Sequence, residues 1–387
     1  MNIHTHYLKI FLTLIIGITI IMTKAQDKNF VDSLDRVVLK AATDTGVIGA
    51  YGDLFLAYIH TEPQKALGYA EKGLTFSKEK KRDKSVSRFL NNIGYYYQLQ
   101  GKMSKALDYY EKSLQIKKET GNKKGAAMTL VNIGNLYYEA TDLEHALNYF
   151  LDALELFDQL EDQRGRAYCL NNVGTIYEEQ KNYTKALDFY KHSLKIKRKI
   201  KDKPGTVRCL VNIGIIFTHF SDFDKALKMF NEAIVIAEEK QDKVLLYLSY
   251  RNMGETCMKM KKNKEAATYL EKALDNATGL DALDEIHDLY ESIIENYTQT
   301  EDYRNAYNYQ AEYIKLHDSI FSSQYNENIK LEKSKHEKEI AGLNKNIGEI
   351  SEKMTAIKFL FAFTSLLIFL LVLFYFQKYL KRKNKCK

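Results

Sequence analysis

Proline is almost missing from this chain, with two residues in 387, and tryptophan is missing altogether. So few breakers, and no Val/Thr-rich alternation, exclude a sandwich or barrel of short strands and leave an almost all-helical protein. Cysteine is scarce too. Cys169 and Cys209 fall at the same place in adjacent units, Cys257 stands where other units carry an aromatic, and Cys386 is alone near the end. Stacked helices hold equivalent Cα atoms beyond the ~7 Å that a bridge can span, so no disulfide framework is expected. No CxxC or Cys/His cluster has metal-ligand spacing, and neither a metal nor another cofactor is expected.

Catalytic signatures are lacking as well. There is no phosphate-cradling glycine loop, no HExxH and no GxSxG elbow. His145, His192 and His219 lie in helical patterns without carboxylate pairs at ligand spacing, so the chain is expected not to be an enzyme. Charge of one sign is scarce everywhere but at the end. Six of the seven net positive charges sit in the last eleven residues, QKYLKRKNKCK, which leaves no basic footprint for nucleic acid on the rest.

What is present is repetition. Gly94, Gly134, Gly174, Gly214 and Gly254 share one forty-residue register, and so do Ala106, Ala146, Ala186, Ala226 and Ala266. Self-similarity at such a period marks a stacked-repeat fold. Ile93, Tyr96 and Tyr97 recur at helical spacing, a polar stretch follows, and a second periodic run carries Ala106, Leu107, Tyr110, Leu114 and Ile116. Each unit therefore reads as two amphipathic helices joined by a tight turn. Glycine inside a helix costs about 1 kcal/mol relative to alanine. Five in register imply close approach of the two backbones, with aromatics filling the flanks.

On Ile93-Gly94, Tyr97, Ala106, Tyr110 and Ser113 the chain resembles the tetratricopeptide repeat (TPR) family. The same places hold Gly134, Tyr137, Ala146, Phe150 and Ala153, then Gly174, Tyr177, Ala186, Tyr190 and Ser193. The resemblance implies an all-α solenoid of helical hairpins. Two departures stand out: the unit is longer than the family's usual ~34 residues, which predicts a longer second helix and loop, and the proline near the unit's end is missing.

The chain then divides as follows. Residues 1–25 read as a signal peptide, with Lys9, an apolar run from Ile10 to Met22, and Thr23-Lys24-Ala25 before Gln26; an uncleaved anchor is the alternative. Residues 27–46 form an N-terminal capping helix with Leu34, Val37 and Val38. The solenoid covers 47–318, with atypical outer units and seven hairpins expected. Residues 319–356 are a polar helix and a possible coiled-coil stalk. Ile340, Leu343, Ile347, Ile350, Met354 and Ile357 follow a heptad trace that would pair two copies through 340–357, unless the stretch is a single solvated helix. Residues 357–376 are apolar with one charge at the edge, long enough to cross ~30 Å of hydrocarbon. The basic tail 377–387 places the carboxyl terminus in the cytoplasm by the positive-inside rule, and the repeats outside. His336, in KSKHEKEI, then lies on the side away from ATP.

Asn92, Asn132, Asn172, Asn212 and Asn252 stand two places before each glycine. Two helical steps turn about 200°, so if glycine faces its partner helix, asparagine faces the concave wall. An asparagine offers both donor and acceptor and can hold a peptide backbone whatever its side chains. Some TPR proteins use a similar asparagine ladder for extended peptides, and the resemblance reaches these five positions. The alternative is that the asparagines bond to one another or to neighbouring helix ends. Arg88, Tyr95, Asn135, Thr175 and Arg208 are groove neighbours by the same geometry.

The order of segments also resembles the sensory half of bacterial membrane proteins in which periplasmic TPR domains are joined to a cytoplasmic histidine kinase or helix-turn-helix regulator. After Phe376 only eleven residues remain, so no output domain is expected. The function expected is that of an inner-membrane-anchored sensor or adaptor binding a protein or peptide outside the cytoplasm. A structural envelope scaffold, or a truncated relic of a full sensor, are the competing readings.

Overall fold

The computed structural model describes residues 43–277, 283–318 and 354. The chain divides into two compact units, Met1–Gln310 and Ala311–Lys387. The calls on 1–25, the polar stretch, the span 357–376 and the tail lie outside the described residues, apart from Met354, and only the last few residues of the expected capping helix fall inside them. Among the described residues no helix is long and apolar enough to cross a membrane.

Fourteen helices are described, and none of these residues is in a strand. They are α1 (Asp44–Tyr58), α2 (Pro63–Glu79), α3 (Asp83–Leu99), α4 (Met103–Glu119), α5 (Lys123–Glu139), α6 (Leu143–Gln159) and α7 (Gln163–Glu179). Then come α8 (Tyr183–Lys199), α9 (Lys203–His219), α10 (Phe223–Lys240), α11 (Lys243–Lys259), α12 (Asn263–Ala277), α13 (Leu283–Gln299) and α14 (303–318). Odd and even helices pair as hairpins. Consecutive hairpins meet second helix to first, and the first helices α1, α3, α5 and α7 also touch in succession along an inner row.

The forty-residue unit is filled by two helices of equal length. In the second unit α3 and α4 each have seventeen residues. The extra length over the usual repeat is thus shared, not placed in the second helix and loop as the sequence suggested. The reason is a turn that recurs after helices α2 to α11 and after α13. The Gly101 and Lys102 N–H groups donate to the Gln98 and Tyr97 carbonyls, both at 2.9 Å, which closes the helix end and drives Gly101 to a φ of 66°. Gly121 repeats this, while Lys181, Lys201 and Ser221 hold the same left-handed turn without being glycine. From α5 to α11 an Asx cap then starts the helix, as when Asn122 Oδ1 accepts from Gly125 N at 3.0 Å and Asp202 Oδ1 from Gly205 N at 3.0 Å, whereas α2, α3 and α4 start without a side-chain cap.

The registers seen in the sequence make the core. Ala106, Ala146, Ala186, Ala226 and Ala266 are fully buried. A Cβ on Gly94 would meet the Tyr110 ring at 2.7 Å, one on Gly174 the Tyr190 ring at 2.7 Å, and one on Gly214 the Phe230 ring at 2.5 Å. The glycines therefore make room chiefly for a second-helix ring that lies flat across the first helix, with backbone contact secondary. At the edge of the seam Lys105 sits over Tyr97 at 5.4 Å, Lys185 over Tyr177 at 4.8 Å and Lys225 over Phe217 at 5.4 Å. In these three units the residue before the buried alanine thus covers the first-helix aromatic.

Candidate functional site: the wall of first helices

Beneath the forty-residue period runs one of eighty. Asn91 and Asn171 alternate with Val131 and Val211, Tyr110 and Tyr190 with Phe150 and Phe230, and Ser113 and Ser193 with Ala153 and Ala233. The polar members are all engaged. The Tyr110 hydroxyl donates to Gln98 at 2.7 Å and that of Tyr190 to Glu178 at 2.6 Å. Ser113 donates to the Ser87 carbonyl at 2.6 Å and Ser193 to that of Ala167 at 2.7 Å. Polar and apolar units therefore alternate along the inner row.

This alternation decides what the asparagine ladder does. All five of Asn92, Asn132, Asn172, Asn212 and Asn252 are half-buried. Asn132 Nδ2 donates to Asn91 Oδ1 at 3.1 Å, and Asn212 Nδ2 to Asn171 Oδ1 at 3.3 Å, each reaching back to the preceding unit. Where the preceding unit has valine the bond is impossible. Asn252 turns to its own helix and donates to the Leu248 carbonyl at 2.7 Å. Asn172 finds no acceptor: its Nδ2 is shut off from water and unbonded. Asn91 and Asn171 were not singled out from the sequence, because only positions in phase at forty residues were compared.

The neighbours differ among themselves. Arg88 is exposed and donates to the Ile48 carbonyl at 2.6 Å. Thr175 is buried, its hydroxyl 3.2 Å from the Asn171 carbonyl and 3.1 Å from the Tyr190 oxygen, whose one proton goes to Glu178. Tyr95 and Asn135 are half-buried. Burial, then the Glu139 charge, raises the Tyr95 phenol well above its ordinary value. Arg208 is half-buried, and its Nη2 is closed to water without an acceptor.

At the far ends of the same helices the wall is acidic. Burial pushes Glu139 up to about 7, against the pull of the bond that Gln98 Nε2 donates to it at 2.7 Å. Glu178 and Glu179 raise the Tyr138 phenol further than burial alone. Elsewhere, His145 is exposed, bonds Asp142 at 2.8 Å and stacks on Tyr137, while His219 stacks on Tyr183. Cys169, Cys209 and Cys257 are buried free thiols. His287, Asp288 and Glu291 bring three donor atoms together, but the Arg251 guanidinium already lies 3.7 Å from Asp288.

A wall of first helices backed by second helices, with a small residue over each aromatic, defines a TPR-like helical solenoid. Residues 85–159 and 165–239 match a sequence model of the tetratricopeptide repeat, and residues 248–277 match another of the same repeat. Each of the two longer matches covers two units, the same eighty-residue step. No curated protein matches the chain. Among solved structures, the apo form of the quorum sensor NprR from B. thuringiensis aligns with a TM-score of 0.59 at 17% identity, over 80% of this chain and 87% of that one. A Rap protein complexed with competence and sporulation factor aligns at 0.56 and 17%, over 75% and 80%. Aspartyl phosphate phosphatase F from Bacillus subtilis aligns at 0.56 and 13%, over 72% and 73%. At such identities the likeness is one of fold.

Proposed function

We propose that this chain is a membrane-anchored binding protein, not an enzyme, whose inner row of first helices receives an extended peptide or a protein segment. The observation that carries this reading is the row of half-buried asparagines along the first helices, Asn92, Asn132, Asn172, Asn212 and Asn252, which keeps carboxamide donors and acceptors at the surface of the wall. A peptide backbone presents the complementary carbonyls and N–H groups. The Rap protein that shares the fold was solved with a factor bound, which fits a solenoid acting as a receptor.

The apolar stretch 357–376 would hold the repeats outside the inner membrane and the basic tail in the cytoplasm. Binding would then be passed to partners, as in a sensor or adaptor. A photo-crosslinking residue at Asn135, on the wall, and another at Lys191, exposed on α8, test the site. Adducts formed from position 135 and not from 191 in intact membranes support the groove. Adducts from 191 alone overturn it.

A further inference from the structure

Lys117 is a buried lysine, 7% exposed, and no ion pair accompanies it among the described residues. Its Nζ donates to Thr129 Oγ1 at 2.6 Å. Burial lowers its pKa to about 8. An ammonium has only donors, so the Thr129 oxygen must accept here. The Thr129 hydroxyl proton then goes on to Asn91 Oδ1 at 3.0 Å, with a longer contact to the Gly125 carbonyl at 3.2 Å. Asn132 Nδ2 completes the cluster on the same Asn91 oxygen. Two units on, the Cys209 thiol, itself against Ser193 Oγ at 3.3 Å, lies 3.6 Å from Asn171 Oδ1, and Asn212 Nδ2 bonds that oxygen. Both stations share one arrangement: the carbonyl of the first asparagine and the amide nitrogen of the second point inward.

We infer that Lys117 and Thr129 at the first station, and the Cys209 thiol at the second, are positioning groups that fix the direction of the paired carboxamides, so that each station offers the groove one outward N–H donor and one outward C=O acceptor. The donor comes from Asn91 or Asn171 and the acceptor from Asn132 or Asn212. One peptide unit of an extended chain presents the complementary pair. The ligand class is therefore a peptide backbone gripped at two points, one station in every second unit, with its side chains read elsewhere. This rests on the groove reading given above. It adds Asn91 and Asn171 to the site and gives the two kinds of asparagine opposite roles.

The test is to replace each asparagine by aspartate in the full-length chain and to measure melting. Asn91→Asp keeps its inward acceptor and meets the Lys117 charge, so its melting temperature holds or rises. Asn132→Asp sets oxygen against oxygen and melts lower by about 3 °C, the order expected for one lost buried bond. Asn171→Asp and Asn212→Asp repeat the asymmetry where Lys197 is already occupied by Asp202 at 2.7 Å. Thr129→Val removes the asymmetry at the first station and Thr129→Ser restores it. The reverse order, with Asn91→Asp destabilised and Asn132→Asp unharmed, overturns the assignment, as does equal loss in both. Partner capture is scored separately. Asn91→Asp, though as stable as the parent, loses the crosslinked partner. Correct asymmetry with no partner for the parent chain leaves the carboxamide directions standing and removes the peptide.

Discussion

A methyl group on Gly174 would meet the Tyr190 ring at 2.7 Å, and that ring is fixed by the bonds its hydroxyl makes to Glu178 and Thr175. Gly174→Ala is therefore expected to lower stability by about 1–3 kcal/mol, the usual cost of overpacking a core. A denaturant midpoint equal to the parent's would contradict it. Glu139 gives a prediction in pH. Its folded pKa is raised from 4.5 to about 7, so the folded chain holds a proton that the unfolded chain releases. The stability this supplies is present below pH 4.5 and is lost as the pH rises through 7. Glu139→Gln has no charge to bury, so it is more stable than the parent at pH 8 and shows no advantage at pH 4. Denaturation at the two pH values checks the difference. Of these residues, the glycines were legible in the sequence because a helix tolerates them poorly. Which atoms fill the space above them was not, since spacing alone does not tell ring from backbone.

At the scale of the element, helices α2 to α11 and α13 end in a left-handed turn, and helices α5 to α11 start on an Asx cap. Gly121 has a φ of 65°, and Thr141, Glu161 and Lys181 adopt nearly the same angle with side chains. Gly121→Ala is accordingly expected to cost about 1 kcal/mol and no more. Asp222 caps α10 by accepting from Lys225 N at 3.4 Å, and it pairs with the Lys225 ammonium. Asp222→Ala is expected to cost about 1 kcal/mol. Thermal melts of both variants check these values, and unfolding of either at room temperature would contradict them. Helix pairing and number could be read from apolar periodicity. The equal division of the unit could not, because the capping residues vary among Asn, Asp and their neighbours while their geometry stays constant. The asparagine ladder was legible at the forty-residue step, but its partners Asn91 and Asn171 were not, because they repeat only every eighty residues.

For the whole molecule, the solenoid follows from the described helices, whereas its place in the cell rests on the composition of 357–387. An impermeant maleimide applied to intact spheroplasts is expected to label Lys191→Cys, exposed on α8, and to leave Cys386 unlabelled until the membrane is opened. Cys169, Cys209 and Cys257 do not confuse the result, because they are buried. Labelling of Cys386 before permeabilisation would reverse the orientation.

Binding of a partner along the inner row is the function on which the rest depends. It is tested most directly by crosslinking pull-down from intact membranes, comparing the parent chain with one carrying alanine at Asn132, Asn172 and Asn212. The groove reading predicts a partner captured by the parent and lost by the variant, while the variant keeps its helical content and melts cooperatively. An unchanged partner list from a folded variant would contradict it, and would move binding to the second helices or beyond residue 318.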